Sequence, residues 1–369
     1  MRNTKNLVNQ MWHLFCTLSL MLALACSDSS IEIPEPQPDQ EQGGGDNSDE
    51  GGQDNDQSGG NENDGNGNND GNNDGDGDGK DDGNDDNDGN SGGGETVDLK
   101  KWPVIASATG RLVADGNDAS TYDLITRQGY NQEAPDQSGS HASAPYRHIR
   151  QSYSQWLGRN IFAFHIHAKI DDDRGKTDVK DRQRNEIKTD AKSPASMVAQ
   201  EGETLEMRWK FMLPKGMVTT DKFCHIHQLK GIDNSAGTAD VSMPMITFTA
   251  RSVSKGQQFQ VIFVPPTEEG GGNQYLAKVD LANFLGEWVA VTERVTFAKK
   301  GSYSLVITRM SDGKELVRVN DNGRNFWRTG TTGLRPKWGI YRSVGSNGSL
   351  RNTLRDEVLF FADFEIEKL

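Results

Sequence analysis

The chain has 369 residues, 33% of them apolar, with 40 Lys+Arg against 54 Asp+Glu and a formal net charge of −14. The acidity is unevenly placed: residues 1–100 hold 4 basic and 23 acidic residues, so residues 101–369 hold 36 and 31, a net of +5. A mildly basic part behind an acidic one points to an anionic partner, and Cys16, Cys26 and Cys224 are too few for a disulfide framework.

Arg2 and Lys5 precede a mostly apolar run, Leu14 to Ala25, too short to span a bilayer comfortably. It ends in Leu-Ala-Leu-Ala-Cys, residues 22–26, which resembles a bacterial lipobox with Ala23 in place of the commoner leucine. Lipidation of Cys26 would anchor the protein to a membrane without spanning it. An ordinary signal peptide or an uncleaved anchor is the alternative. Export argues against a nucleic-acid partner and suits an acidic polysaccharide, at the outer membrane, cell surface or periplasm.

From Ser27 to about residue 95 the sequence collapses to Gly, Asp, Asn, Ser and Gln. Without apolar residues no core offsets the ordering entropy, so this reads as a flexible, self-repelling tether. Its Asp-Gly-Asn runs lack the regular apolar position that stacked calcium-binding repeats need.

Residues 96–369 are long enough for one large domain. Short β-like runs recur between turn signals: Ile161–Lys169, Glu203–Met212, Phe223–Lys230, Met245–Arg251, Gln258–Val264, Trp288–Phe297, Tyr303–Arg309, Glu315–Val319, Trp338–Arg342 and Glu357–Glu367. In the first, Phe162, Phe164 and Ile166 face one way and Ala163, His165, His167 and Lys169 the other. Long amphipathic helices are absent, Leu281–Phe284 reads as a helical turn, and residues 96–145 as an edge strand with loops. The pattern predicts an all-β antiparallel β-sandwich, a concanavalin-like jelly roll.

Three segments carry polar residues at period two. Arg182, Arg184, Glu186 and Lys188 share one face of RQRNEIK; Lys337, Gly339, Tyr341 and Ser343 share one face of KWGIYRS. In CHIHQLKG, residues 224–231, the same alternation puts His225 and His227 together and Cys224 opposite, as a small core residue. A strand with a wholly polar face cannot cover a core. Three in one sheet would line a groove with Arg, Lys, His and Tyr.

That set suits β-elimination of a uronic-acid glycan. Cations or strong donors neutralise the substrate carboxylate and make the C5 proton acidic. His or an ionised Tyr removes that proton, and a Tyr hydroxyl protonates the leaving oxygen. No metal or organic cofactor is required.

The trio resembles motifs of the β-jelly-roll polysaccharide lyases, namely family seven alginate lyases and their glucuronan- and heparin-lyase relatives. Arg184, Glu186 and Lys188 fit R-(S/T)-E-x-R, with Asn185 in the middle and lysine last. His227 fits the histidine of Q-I-H, with His225 where glutamine is expected. Lys337, Gly339 and Tyr341 fit Y-F-K-x-G-x-Y-x-Q, with Ser343 replacing its glutamine. The resemblance implies Arg184 and His225 or Gln228 at the carboxylate, His227 as base and Tyr341 as acid or acid/base. Glu186, Lys188, Gln228, Lys337 and Arg342 complete the expected substrate-binding set. The departures at His225 and Ser343 argue against alginate as the substrate.

Two rivals stand beside this reading. Glu201, Glu203 and Glu206 resemble loosely the carboxylate strand of a retaining glycoside hydrolase, which needs two carboxyls about 5–5.5 Å apart. Trp156, Trp327 and Trp338 offer stacking platforms for a non-catalytic glycan-binding lipoprotein. The acidic loop Asp171–Asp173, with Asp178 and Asp181, offers oxygens for a structural calcium ion. A monomer is expected.

Overall fold

The computed structural model describes residues 110–137, 147–174, 176 and 178–369. The export signal with Cys26 and the tether lie outside the described residues. Fourteen strands follow in chain order: β1 (Asn131–Glu133), β2 (Ile149–Ser154), β3 (Arg159–Ile166), β4 (Arg182–Lys188), β5 (Thr204–Met212), β6 (Cys224–Ile232), β7 (Ile246–Val253), β8 (Gly256–Phe263), β9 (Gln274–Asp280), β10 (Trp288–Thr296), β11 (Gly301–Arg309), β12 (Glu315–Arg324), β13 (Gly333–Ser343) and β14 (Glu357–Lys368). One α-helix, α1 (Thr121–Arg127), precedes them among the described residues.

The strands form two seven-stranded sheets. The first runs β1-β4-β13-β6-β7-β8-β9, the second β12-β11-β10-β5-β14-β3-β2. Every pairing of named strands is antiparallel. This is the expected jelly-roll sandwich. The edge strand expected within residues 96–145 is β1, and Leu281–Asn283 forms the expected helical turn. α1, β2 and β9 are not among the elements expected from the sequence pattern. The last two are weakly apolar: β2 is IRQSYS and β9 is QYLAKVD, both at sheet edges.

Between the sheets lies one apolar core. Phe162, Phe164 and Ile166 enter it from β3, Trp209 and Phe211 from β5, Phe248 from β7, Phe259 from β8 and Trp338 from β13, all at 0–2% exposure. Each such side chain contributes about 1.5–3 kcal/mol of burial, which fixes which face of every strand turns inward.

Two irregularities decide what the first sheet shows on its other face. Along the paired strands, Arg184 to Lys188 is four residues and so is Tyr341 to Lys337. The facing step on β6, His225 to Gln228, is three residues, and on β7, Thr249 to Thr247, it is two. Each step drops one residue through a bulge, and a bulge breaks the period-two alternation. Gly339 sits in this region at φ +141; a Cβ there would stand 2.2 Å from the Asn185 carbonyl oxygen and 2.8 Å from Glu186 Cα. Only glycine permits that approach of β13 to β4.

Candidate functional site

The three polar segments of the sequence are adjacent strands, β4, β13 and β6. Their outward residues form rows across the sheet. One row runs Arg184–Tyr341–His225–Thr249–Gln260 over β4, β13, β6, β7 and β8. The next runs Lys188–Lys337–Gln228–Thr247.

His227 is the principal correction. Ile226 and His227 both face inward at the β6 bulge, so His225 shares its face with Gln228, not with His227. His227 is fully buried between the sheets, ringed by Trp209, Phe248 and Trp338 with centroids 4.7, 4.9 and 5.4 Å away. Its Nε2 lies 2.9 Å from Glu293 Oε2 of the opposite sheet. Glu293 also accepts from the Tyr303 hydroxyl at 2.7 Å. A base that meets a polymer cannot work from there.

Arg342 is the second correction. It is 1% exposed, donates Nε to Gln183 Oε1 at 3.0 Å and Nη1 to the Arg355 carbonyl at 3.0 Å, and so leaves the polar face.

His225 is partly buried beside Tyr341. The two rings are 5.8 Å apart, and Phe223 stacks on His225 at 4.8 Å. His225 Nδ1 is 2.8 Å from Thr249 Oγ1, which is 2.9 Å from Thr247 Oγ1. Burial, then Arg251, Arg184, Lys337 and Lys230, push the imidazole down to about 3. It is therefore neutral at neutral pH.

Tyr341 is held from two sides. Arg182 Nη1 donates to its hydroxyl at 2.9 Å, and the Arg184 guanidinium lies 3.7 Å from the ring centroid. Burial raises the phenol and the two arginines pull the other way; the net shift is upward, so the hydroxyl keeps its proton.

Most of the expected cations are already engaged. Arg184 pairs with Glu186 at 2.8 Å, Asp173 at 2.7 Å and Glu133 at 3.2 Å. Lys337 lies 2.6 Å from both Glu133 and Glu186, and Lys188 2.8 Å from Glu133. Gln228 donates to the other Glu186 oxygen. Burial pushes the Glu133 carboxyl up, but Lys337, Arg184, Lys188 and Arg174 outweigh it and hold it below the usual carboxylate range.

A second set of cations, outside the residues matched to the three motifs, lies on the same face. Arg335 stands opposite Lys230 and two residues from Lys337; Arg251 is two residues from Thr249. Arg335 Nε and Nη1 and Arg251 Nε are buried without a hydrogen-bond partner among the described residues. Like charges directly opposite across a ladder are destabilising; Lys230 Nζ donates to the Ser242 carbonyl at 3.2 Å, and Arg335 lies in the field of Glu133, Asp190 and Glu186. Continuing the period-two count one step beyond Lys337 and Gln228 finds both.

The rivals' residues lie elsewhere. Trp338 is in the core, Trp327 is buried, and Trp156 packs against a second apolar cluster. Glu206, on the second sheet, binds Arg208 and Arg294; Glu203 binds Lys368. In the acidic loop, Asp173 pairs with Arg174 and Arg184, and Asp181 with Arg182.

No family model matches the sequence, and no curated protein matches it. Among solved structures the chain is similar to an endo-β-1,4-glucuronan lyase from the fungus Trichoderma reesei, at 13% identity over 64% of this chain and 94% of that one, TM-score 0.41. It is similar to an alginate lyase of polysaccharide lyase family 7, at 11% identity over 68% and 97%, TM-score 0.42. It is similar to an alginate lyase from Pseudomonas aeruginosa, at 12% identity over 65% and 98%, TM-score 0.39.

Proposed function

We propose that this protein is a polysaccharide lyase that cleaves an acidic, uronic-acid-containing polysaccharide by β-elimination on the polar face of the first sheet. The observation that supports it is the row Arg184–Tyr341–His225–Thr249, which sets the His225 imidazole 5.8 Å from the ring of Tyr341, whose phenol keeps its proton; substrate carboxylates that offset Arg251, Arg184, Lys337 and Lys230 would restore the basicity those cations suppress. Elimination needs that pair: one group free to take a proton, one ready to give one.

In this reading His225 Nδ1–H donates to Thr249 Oγ1, which leaves the Nε2 lone pair to take the C5 proton. Arg335, Lys230 and Arg251 neutralise substrate carboxylates. As C5–H breaks, its electrons form the C4=C5 double bond, the C4–O bond breaks, and the Tyr341 hydroxyl protonates the leaving oxygen. Water exchange then returns the proton from the imidazolium and reprotonates the tyrosinate. Arg184 acts beneath Tyr341, fixing its ring. Lipidation at Cys26, a surface or periplasmic location and a monomeric state belong to the same proposal.

A non-catalytic glycan-binding lipoprotein is the second reading. The engagement of Arg184 and Lys337 by carboxylates favours it, because those cations are not open to a substrate. Incubating the full-length chain with a panel of polyuronates and following the ultraviolet absorbance of an unsaturated uronate separates the two. A rising signal is expected with at least one polymer. Tyr341→Phe should lower its rate by about 10²–10⁴-fold with binding retained. Binding with no chromophore from any polymer would establish the second reading; new reducing ends without chromophore would mean hydrolysis.

A further inference from the structure

On the opposite side of β4 from the polar row, three side chains converge that the proposed chemistry does not use. His148 Nε2 lies 3.1 Å from Asp171 Oδ1, His167 Nδ1 lies 3.2 Å from Asp171 Oδ2, and the two ring nitrogens lie 3.2 Å apart. His148 and Asp171 are fully buried and His167 is partly exposed. We propose that His148, His167 and Asp171 form a site for a zinc-type transition-metal ion that ties the loop after β3 to the start of β2.

The spacing carries the argument. Zinc takes imidazole nitrogen and carboxylate oxygen at about 2.0–2.2 Å in a tetrahedron, which puts neighbouring donor atoms about 3.3–3.5 Å apart. The two imidazole nitrogens stand 3.2 Å apart, close to that edge; each is as near to one oxygen of Asp171, His148 to Oδ1 and His167 to Oδ2, and one donor atom from each residue falls within 4.8 Å of the others, so a small rotation of the carboxylate completes the face. Two imidazoles and one carboxylate leave the fourth position for water or another ligand. Calcium takes six to eight oxygens, so the nitrogen-rich donor set selects zinc and its neighbours instead.

The surroundings are those of a prepared site. Asp136 Oδ1 is 3.4 Å from His148 Nδ1, the nitrogen facing away from the cluster. A carboxylate in that position orients a ligating imidazole. Asp171 Oδ2 also accepts from the His167 backbone N–H at 2.6 Å. Two inward side chains of β4 hold the backbone that carries the ligands. Gln183 Nε2 donates to the carbonyls of His167, Ala168 and Asp171 at 2.8, 3.2 and 2.9 Å. Asn185 Nδ2 donates to the carbonyls of His148 and His165 at 2.9 and 2.8 Å. Two residues beyond Asp171, Asp173 pairs with Arg184. A metal here would thus brace the loop whose carboxylate steadies the arginine under Tyr341.

The test uses the untagged full-length chain stripped with a chelator. Cobalt(II) is titrated in and visible absorption recorded; zinc is then added and melting followed. The expected results are intense ligand-field bands of tetrahedral cobalt at one equivalent, their loss on adding zinc, and a higher Tm with zinc. The acidic N-terminal segment would hold cobalt through oxygens in six-coordinate form, which absorbs weakly. His167→Ala, at the partly exposed ligand, should abolish the bands while the metal-free Tm stays near that of the parent. Asp136→Asn should weaken zinc binding by about 10–100-fold. A weak aquo-type cobalt spectrum with no zinc effect on Tm, or a His167→Ala chain that binds as tightly as the parent, would overturn the site. None of these readouts depends on lyase activity.

Discussion

The bulge on β6 gives His225 and His227 opposite jobs, and substituting each separates turnover from stability. His225→Ala removes the proposed base from the polar face. Turnover should fall by about 10²–10⁴-fold, the usual worth of a positioned base, which is about 2.7–5.4 kcal/mol of barrier. Its Tm should move little, because the lost ring faces outward. His227→Ala leaves Glu293 facing an empty space between the sheets, with Tyr303 as the hydrogen-bond donor left to it among the described residues. Breaking a buried pair costs about 3–5 kcal/mol. A domain of this size loses about 2–4 °C per kcal/mol, so the melt should drop by ~6–20 °C. Below that melt, turnover per folded molecule should stay within a few-fold of the parent. Polyuronate turnover by ultraviolet absorbance, beside thermal melts of the same samples, measures both. A folded His227 variant with lost turnover, or a His225 variant at parental rate, would refute the division.

Two further outcomes follow from the same face. Gly339→Ala forces a Cβ against the Asn185 carbonyl at a left-handed φ; about 2–5 kcal/mol of destabilisation is expected from backbone strain plus overpacking, readable as a lower urea midpoint, and an unchanged midpoint would mean the bulge is soft. Arg335→Ala or Lys230→Ala should weaken polyuronate binding and flatten its salt dependence; affinity insensitive to salt in the parent chain would mean the ligand is neutral.

What the sequence makes legible here is periodic, and what it hides is aperiodic. The sandwich, the inward set Phe162–Phe164–Ile166 and the adjacency of three polar strands all follow from alternation that a core enforces. Arg184, Glu186 and Lys188 share a face because β4 runs without interruption. The same count misplaces His227, because an extra residue in β6 costs only one unpaired ladder position and leaves no mark in residue type; Gly339, across the sheet in β13, is the nearest hint. Pairing across long separations is equally hidden. Glu133 meets Lys337 over 204 positions, and nothing local in Asn-Gln-Glu announces an edge strand whose carboxylate takes up cations. Trp338 offers a sugar platform in isolation, but core packing is its simpler role in sequence, and the alternation that turns Lys337 to the polar face sends Trp338 into the core.

If the face binds a polyanion as proposed, the carboxylates around it give a reason for a site that spends its own cations. Arg184, Lys188 and Lys337 left unpaired on one face would repel one another and bind a polyuronate in many registers. Glu133, Glu186 and Asp173 remove both problems. They lock Arg184 in place, and Arg184 with Arg182 then fixes the ring and hydroxyl of Tyr341. Arg335 and Arg251, which with Lys230 have no carboxylate partner among the described residues, sit to either side of the Tyr341–His225 row, on β13 and β7. In the proposed reading, attraction is thereby displaced to the flanks and precision kept at the centre, the division that a reaction limited by alignment would require. Arg335 and Arg251, more than Arg184, are therefore the arginines whose loss should show in substrate binding.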